Sequence, residues 1–554
     1  MEKHMKPGIR VQNLFVRYHD DKKRAAVGGI SFFVSRGECL CLLGESGSGK
    51  SSIAKALIGI LPVTANVSGF IDFFGERVDL GRKTDALLSL RGRKIGYIFQ
   101  DSQQALNPMR TIREHFRESV LQHGLVGEEE IDEIGRRFLG YLNFEHPERV
   151  LGSYPFQLSG GMCQRVYLAL SLCLEPKLLI ADETTSALDR VNQMEVMRLL
   201  NKSRRERNLA LLFITHDLAL ARAFSDRVLV MRDGTPCEEG PSSDVFRKPS
   251  HPYTCALLSA SLQRPSLEDR LLVRRAGALP EVESSPPSSR QRMESRNRLL
   301  EVRNLTKRYD IKGRAAVDRV SFGLDEGEVM GVLGESGCGK SSLAKCIAGI
   351  EGLQGGEVLL CERRVDLCRH RRDRSANTTM QIIFQDGRAS LNPRRKVVDL
   401  IQEPNRYLGL YSCEESRRLA SALLDEVGLG QEVYRYRAPQ LSTGQCQRVA
   451  IARALFVRPK LLICDEPVSS LDVRLQNQIL GLLLEIHRER GIAILMISHD
   501  IGLLKSCCQR IAVMKDGVFC EVMETRRLCE EERHPYTERL LACDRALHTQ
   551  SAFS

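Results

Sequence analysis

Two kinds of hydrophobic pattern recur along this chain of 554 residues. Residues 9–18 and 300–309 alternate apolar and polar positions, which is typical of strands with one buried face. Stretches 111–151 and 397–436 are charged and mostly helical in pattern. Other runs are short and almost continuously apolar, at 39–43, 177–182, 211–216, 329–333, 461–465 and 494–499. Continuous runs of this length between helical segments predict buried parallel strands, and therefore an α/β fold.

The same order of patterns occurs twice. Lys50 and Lys340 are 290 positions apart, and from Leu158 and Leu441 onwards the offset stays at 283. A nearly constant offset indicates two homologous domains. We predict a first domain at 1–262, a linker at 263–298, a second domain at 299–545 and a tail at 546–554. The linker is rich in serine and proline, and it would keep the two domains at a high effective concentration.

Each domain contains a Gly-x-x-x-x-Gly-Lys-Ser loop between an apolar run and a helix-forming stretch. In this context the loop's backbone N–H groups and the helix N-terminus bind phosphates, the lysine reaches the outer phosphates and the serine hydroxyl binds Mg²⁺. Two copies with the same flanks predict two nucleoside triphosphate sites. Their residues are Gly44, Glu45, Ser46, Gly47, Ser48, Gly49, Lys50, Ser51 and Ser52, and Gly334, Glu335, Ser336, Gly337, Cys338, Gly339, Lys340, Ser341 and Ser342.

Two carboxylates follow one of the predicted buried strands in each domain, where ligands of open α/β sheets gather. We predict that Asp182 and Asp465 hold the water shell of Mg²⁺, and that Glu183 and Glu466 polarise the water that attacks the γ-phosphate. The alternative is a strand that ends in two solvated acids, which is common for one strand but not for two strands matched behind phosphate loops.

A histidine and a glutamine accompany these carboxylates. His216 and His499 each lie 33 positions after the glutamate, and this repetition favours a hydrogen bond to the γ-phosphate over a structural role. Gln100 and Gln385 close the segments Ile-Phe-Gln-Asp, where an amide can contact the metal or the attacking water. The glutamine signal is weak on its own.

A third motif opens a helix with small residues: Ser159, Gly160 and Gly161 in the first domain, and Ser442, Thr443 and Gly444 in the second. Hydroxyl and N–H groups at such a helix end can face an anion. Because the phosphate loop already supplies an anion site in each domain, this motif suggests that each site is completed by the other domain. An ordinary serine-capped helix is compatible with the same residues.

Composition excludes few classes of function. The net charge of +11 arises from 81 basic and 70 acidic residues, and it suits nucleic acid, anionic lipid or nucleotide phosphates alike. No apolar run approaches the roughly eighteen residues of a membrane helix, and we expect no secretory signal. The 18 cysteines include no Cys-x-x-Cys pair, so we expect reduced thiols and no iron–sulfur cluster.

Taken together, these motifs resemble those of the ATP-binding cassette ATPases over nearly the whole chain. The resemblance implies two P-loop NTPase domains in tandem, each with a parallel-sheet core, an antiparallel β subdomain and a helical subdomain. It also implies a head-to-tail arrangement with two ATP molecules, in which Lys50 faces the motif at Ser442 and Lys340 faces the motif at Ser159. Tyr18 and Tyr309 match the aromatic residue that stacks on adenine, although each is also compatible with a plain strand residue.

A narrower resemblance is to the oligopeptide, dipeptide and nickel importer ATPases. It is carried by Leu-Asn-Pro after each Phe-Gln-Asp and by His-Pro-Tyr-Thr at 251–254 and 534–537. It implies two integral-membrane permease subunits and an extracytoplasmic solute-binding protein as partners, no nucleic acid, and a peripheral location at the cytoplasmic face of the inner membrane. Two departures are Thr443 in place of a signature glycine and the lack of a cysteine-rich tail after either His-Pro-Tyr-Thr segment.

Two alternatives stay open at this point. One is a soluble twin-cassette ATPase that acts on the ribosome or DNA, although the short linker lacks the charged arm or zinc-type cysteine pairs that such proteins carry. The other is an accessory cassette of a phosphonate-processing complex. The identity of the transported solute is not encoded in these motifs.

Overall fold

The structure is a computed structural model that describes residues 8–18, 25–81, 85–100, 102–124, 127–185, 188–262, 298–309, 314–365, 374–469, 471–529 and 532–548. The chain divides into two compact units, one containing Met1–Leu262 and the other containing Gln263–Asp544. The predicted linker lies outside the described residues apart from Arg298, which begins a strand.

The first unit has two sheets. A four-stranded antiparallel sheet has the order β2-β1-β4-β5, and a six-stranded sheet has the order β10-β9-β3-β8-β7-β6. In the larger sheet only β10 runs antiparallel to its neighbour. The strands are β1 (Ile9–Tyr18), β2 (Val27–Val34), β3 (Cys39–Leu43), β4 (Ala65–Phe73), β5 (Glu76–Asp79), β6 (Ile95–Ile98), β7 (Leu178–Asp182), β8 (Ala210–Thr215), β9 (Arg227–Arg232) and β10 (Thr235–Pro241).

Some helices of this unit begin at a polar side-chain cap, for example Thr111, which forms a capping box with Glu114. The helices are α1 (Lys50–Leu57), α2 (Asp85–Ser89), α3 (Ser102–Ala105), α4 (Ile112–Gln122), α5 (Ile131–Tyr141), α6 (Pro147–Leu151), α7 (Gly160–Leu172), α8 (Arg190–Arg207), α9 (Leu218–Phe224), α10 (Ser242–Arg247) and α11 (Pro252–Leu262), with 3₁₀ turns at Glu128–Glu130 and Pro155–Gln157.

The second unit repeats this plan, with sheets of order β12-β11-β14-β15 and β16-β17-β18-β13-β19-β20. Its strands are β11 (Arg298–Lys307), β12 (Val317–Asp325), β13 (Val329–Leu333), β14 (Gly355–Leu360), β15 (Arg363–Arg364), β16 (Met380–Ile383), β17 (Leu461–Asp465), β18 (Ala493–Ser498), β19 (Arg510–Lys515) and β20 (Val518–Glu524).

Its helices are α12 (Lys340–Ile347), α13 (Arg374–Thr379), α14 (Val397–Ile401), α15 (Glu403–Leu408), α16 (Cys413–Glu426), α17 (Thr443–Leu455), α18 (Val473–Arg490), α19 (Ile501–Cys507) and α20 (Pro535–His548), with 3₁₀ turns at Gln431–Arg435, Ala438–Gln440 and Thr525–Cys529. The last helix ends three residues beyond the predicted domain end at 545.

The hydrophobic patterns explain both kinds of sheet. Every residue of β3, β7 and β8 is buried, whereas β1 alternates buried and exposed positions along its length. Strands buried on both faces must be apolar throughout, and strands with one face in water alternate. The α/β prediction, with a parallel core and an antiparallel sheet in each unit, is confirmed.

Strand order brings the motifs together. Leu43 pairs with Thr215, Asp182 with Ile214, and Ile98 with Ala181, so the carboxyl ends of β3, β8, β7 and β6 lie side by side. The segments that follow these strands therefore gather at one edge of the sheet. Within the part of the chain that the structure describes, no helix has the length and apolar character needed to cross a membrane.

Candidate functional site

The backbone of the phosphate loop requires glycine where it turns into α1. Gly49 has a φ of +97°, and a Cβ at this position would lie 2.3 Å from the carbonyl oxygen of Ala26. Gly339 repeats both features, with a φ of +109° and a Cβ position 2.0 Å from the Ala316 oxygen. By contrast, a Cβ at Gly47 would meet nothing within 4 Å, so this side of the loop is open. The loop therefore packs tightly on the protein at one end and leaves its tip accessible.

The lysine of each loop lies inside the loop itself. Lys50 is 4% exposed, and its Nζ donates to the carbonyl oxygens of Gly44 and Glu45 at 2.8 Å each and to Ser48 Oγ at 3.2 Å. Lys340 contacts the matching oxygens of its own loop at 2.8 Å, whereas Cys338 Sγ, in place of the serine oxygen, is 4.0 Å away. An ammonium group held in this way provides fixed positive charge beside the loop's N–H groups.

The aspartate at the end of β7 contacts the serine that follows the lysine. Ser51 Oγ donates to Asp182 Oδ1 at 3.0 Å, and Ser341 Oγ donates to Asp465 Oδ1 at the same distance. In the first unit, Tyr97 OH also donates to Asp182 Oδ2 at 2.8 Å. Burial raises the pKa of Asp182, and the two hydroxyl groups partly oppose this rise because they stabilise the carboxylate.

Gln100 and His216 converge on Glu183 in the first unit. Gln100 Nε2 donates to Glu183 Oε2 at 2.8 Å, and His216 Nδ1 lies 3.2 Å from Oε1. Glu183 has a φ of +46°, an uncommon backbone conformation for a residue with a side chain. Its N–H donates to the carbonyl oxygen of Ile214 at 2.9 Å, which ties this strained residue to β8.

The second unit forms the same cluster, with a longer contact from its glutamine. Gln385 Nε2 is 3.4 Å from both Glu466 Oε2 and Ser469 Oγ, and His499 Nδ1 is 3.2 Å from Glu466 Oε2. Lys340 Nζ lies 4.0 Å from Glu466 Oε1. Glu466 also has a positive φ, of +48°. The phosphate loop, carboxylate, glutamine and histidine of each unit thus form one cluster.

Electrostatics keep the two glutamates ionised. Burial alone would raise the pKa of Glu183, but the hydrogen bond and charge of His216, together with Lys50, lower the pKa below its ordinary value. The pKa of Glu466 is lowered for the same reasons by His499 and Lys340. Burial would lower the pKa of His216, yet the carboxylate of Glu183 raises it above its ordinary value. An ionised carboxylate of this kind can accept a proton from water.

The two candidate adenine-stacking tyrosines lie beside the phosphate loops. Tyr18 OH is 3.0 Å from Ser52 Oγ, and Tyr309 OH is 3.0 Å from Ser342 Oγ. Tyr309 also donates to Glu351 Oε2 at 2.5 Å, and its side chain is 63% exposed. Both rings are therefore anchored next to the start of the loop helix.

The serine-glycine motifs lie at the N-termini of α7 and α17. Ser159 Oγ accepts the N–H of Met162 at 3.3 Å, and Ser442 forms a full capping box with Gln445. Ser159, Gly160, Ser442 and Thr443 are exposed, while Gly161 and Gly444 are buried against α8 and α18. The exposed hydroxyl and N–H groups are available to an anion at each helix end.

Tyr97 and Ser469 join the cluster although the sequence did not predict them. Tyr97 is a polar-tipped residue in the short apolar strand before Gln100, and the matching residue in the second domain is Ile382. A tyrosine hydroxyl in a buried strand needs a hydrogen-bond partner. This requirement is the feature of the sequence that could have indicated a polar contact at Tyr97. Ser469 lies in the segment that follows Glu466, where only the fold shows which side chains turn inward.

Comparison with known proteins agrees with this geometry. A model described as "ABC transporter" matches residues 27–186 and 317–469, and one described as "Oligopeptide/dipeptide transporter, C-terminal region" matches residues 237–289. The chain is 37% identical to the glutathione import ATP-binding protein GsiA of Escherichia coli K12 and to that of Shigella sonnei, over 96% of this chain and 89% of each relative.

Two solved structures are also similar, each at 28% identity. The cassette MJ0796 bound to ADP and Pi covers 41% of this chain and 99% of its own, with a TM-score of 0.37. The cbiO1 structure from Clostridium perfringens covers 46% and 98%, with a TM-score of 0.39. The two matched cassettes and the relatives that span nearly the whole chain show that this protein belongs to the ABC transporter family, as an ATP-binding and ATP-hydrolysing protein with two cassettes in one chain.

Proposed function

We propose that this protein is the ATPase subunit of an ABC importer for peptide-like solutes. The observation that carries the proposal is the 37% identity, over 96% of the chain, to proteins named for glutathione import. The match of residues 237–289 to the oligopeptide/dipeptide transporter C-terminal region supports the same solute class, because glutathione is a small peptide. Dipeptides, oligopeptides, nickel and metal chelates remain candidates from the sequence motifs.

We assign the phosphate site of the first cassette to residues 44–52, with Lys50 as the main positive charge and Tyr18 against adenine. Glu183 would accept the proton of the attacking water, and its lowered pKa supports only the ionised state that this role requires. His216 would hydrogen-bond the γ-phosphate while it holds Glu183, and Gln100 would contact both the metal and the water. The second cassette would use the matching residues in the same roles.

Oxygen donors at each site suit Mg²⁺, which prefers hydroxyl, carboxylate and amide oxygens. Ser51, Gln100 and Asp182 would hold the ion in the first cassette, and Ser341, Gln385 and Asp465 would hold it in the second. The contact of 3.0 Å between the serine hydroxyl and the aspartate in both units supports this assignment. A bound Mg²⁺ supplies charge that neutralises the phosphates.

We further propose that the cassettes, at 1–262 and 299–545, close head to tail on two ATP molecules. The exposed serine-capped ends of α7 and α17 support this arrangement, since each presents donors suited to a phosphate. Ser159→Arg should then impair the site containing Lys340 more than the site containing Lys50. Photo-crosslinking of labelled ATP, mapped by proteolysis, would measure this; equal loss at both sites would contradict the arrangement.

The partners that we propose are two membrane permeases and an extracytoplasmic solute-binding protein, with this chain at the cytoplasmic face of the membrane. The ribosome, DNA and phosphonate alternatives are not favoured, because the relatives that span the chain are named for import.

Affinity purification from detergent-solubilised membranes tests the proposal. We expect two multi-span permeases and a solute-binding protein to co-purify, and proteoliposomes of that assembly to accumulate labelled glutathione or dipeptide only with ATP. The control carries Lys50→Ala and Lys340→Ala, which should assemble but not transport. Recovery of ribosomal or DNA-repair proteins without permeases would refute the importer proposal.

A further inference from the structure

The phosphate loop of each unit rests on the strand pair at the end of the larger sheet. A Cβ at Gly44 would lie 2.3 Å from the carbonyl oxygen of Met231, in β9. Gly234, in the turn between β9 and β10, donates its N–H to the carbonyl oxygen of Ser48 at 3.2 Å. The first residue of the loop is thus packed closely against the β9–β10 hairpin, and the fifth is hydrogen-bonded to it.

A tyrosine from the next helix completes this contact. Tyr253, the second residue of α11, is 8% exposed, and its OH accepts the N–H of Glu45 at 3.3 Å. The guanidinium of Arg232 lies 5.2 Å from the centre of the ring. Lys50 Nζ binds the carbonyl oxygen of the same Glu45. One residue of the loop is therefore held by the tyrosine at its N–H and by the lysine at its C=O.

The rest of the His-Pro-Tyr-Thr segment holds the tyrosine in place. Glu238 of β10 accepts the N–H of Ser250 at 2.7 Å and the N–H of His251 at 3.2 Å. His251 Nδ1 in turn accepts the N–H of Tyr253 at 3.1 Å. The histidine thus acts as a helix cap, and the strand carboxylate fixes the turn before it.

The second unit repeats the arrangement independently. Tyr536 is 5% exposed, and its OH accepts the N–H of Glu335 at 3.1 Å. His534 Nδ1 accepts the N–H of Tyr536 at 3.2 Å, and Glu521 accepts the hydroxyl of Thr537 at 2.7 Å. The two loops differ only at Ser48 and Cys338, and both make the same contact with the same segment.

We propose that Tyr253 and Tyr536 are positioning residues for ATP binding, which gives the His-Pro-Tyr-Thr segment a role at the nucleotide site. Each phenol oxygen accepts the N–H of the second loop residue and so fixes the start of the loop. The N–H groups further along the loop are then oriented towards the phosphates. A loop that is ordered before ATP arrives loses less conformational freedom on binding. The proposal rests on the assignment of residues 44–51 and 334–341 as the phosphate loops.

The test compares the full-length protein with the double variant Tyr253→Phe, Tyr536→Phe, which removes only the hydroxyls. We expect the Kd for a fluorescent ATP analogue with Mg²⁺ to rise about threefold to tenfold, since one hydrogen bond at each site is lost. The kcat at saturating ATP should change less than about twofold, because bound ATP restores the loop. Tyr141→Phe is the matched control, because its hydroxyl donates to Glu206 and not to a residue of a phosphate loop.

Failure of the tyrosine proposal and failure of the phosphate-loop assignment give different results. An unchanged Kd in the tyrosine variant overturns the tyrosine proposal, provided that Lys50→Ala with Lys340→Ala abolishes analogue binding. A lowered melting temperature with parallel loss of kcat and unchanged KM would show a purely structural tyrosine and would also overturn it. If the lysine variant still binds the analogue, the phosphate-loop assignment itself fails.

Discussion

Tyr97→Phe tests whether the buried hydroxyl that donates to Asp182 stabilises the first cassette. Tyr97 is 9% exposed and Asp182 is 3% exposed, and they are joined by a hydrogen bond of 2.8 Å. The phenylalanine ring fills nearly the same volume, so the main loss is one hydrogen bond to a buried carboxylate. Such bonds contribute about 1.5–3 kcal/mol, and we expect the free energy of unfolding to fall by that amount.

The assay is urea unfolding of the full-length protein, followed by hydrogen exchange at β6 and β7 so that the first cassette is read separately. Tyr141→Phe is a matched control, because it deletes a hydroxyl that donates to the exposed Glu206 at 2.7 Å. There we expect a loss below about 1 kcal/mol, since water replaces an exposed hydrogen bond. Equal losses in the two variants would refute the argument that burial decides the magnitude.

Three further changes have definite expected results. Glu183→Gln with Glu466→Gln should lower ATP hydrolysis by about 10²–10⁴-fold and trap bound ATP, measured by phosphate release and filter retention; undiminished hydrolysis would remove both residues from the general-base role. Gly49→Ala should abolish binding of a fluorescent ATP analogue, because its φ of +97° and the backbone oxygen 2.3 Å from the new Cβ leave no room. Arg190→Val should lower the free energy of unfolding at pH 7, measured by urea titration. Burial raises the pKa of Asp217, but Arg190, together with the Leu220 N–H and His216, outweighs this rise, so the net pKa lies below its ordinary value. The stability is therefore fully present above the ordinary pKa, and the difference between variant and parent should shrink as the pH falls through the lowered pKa of Asp217.

Local patterns were sufficient for much of the fold. The strands before the phosphate loops, Cys39–Leu43 and Val329–Leu333, were predicted with their observed bounds, because an apolar run between a turn and a loop can only be a buried strand here. Boundaries were less certain at the chain's end, where α20 continues to His548 beyond the predicted end at 545. Helix ends depend on packing and capping that the apolar pattern does not contain.

The predicted site residues came from repeated motifs, and the contacts between them came from the fold. That Gln100 binds Glu183 required β6 and β7 to be neighbours, which the order of motifs does not state. The tyrosine contacts at Asp182 and Glu45 were absent from the prediction, since a tyrosine in an apolar segment is more often a core residue. Whether such a hydroxyl has a hydrogen-bond partner depends on distant residues: Asp182 lies 85 positions from Tyr97, and Glu45 lies 208 positions from Tyr253.

The sequence by itself determined that each half of this chain carries a Gly-x-x-x-x-Gly-Lys-Ser loop, a core of parallel strands and one set of carboxylate, histidine and glutamine side chains. These features are local, because a run of apolar residues, a glycine turn and a strand-end carboxylate each depend on a few neighbouring positions. Only the tertiary structure decided the neighbours of each group: the His216 and Gln100 contacts that hold Glu183, and the hydroxyls of Tyr97 and Tyr253. The physical reason is that strand order places distant parts of the chain side by side, and burial then decides which polar groups must find partners.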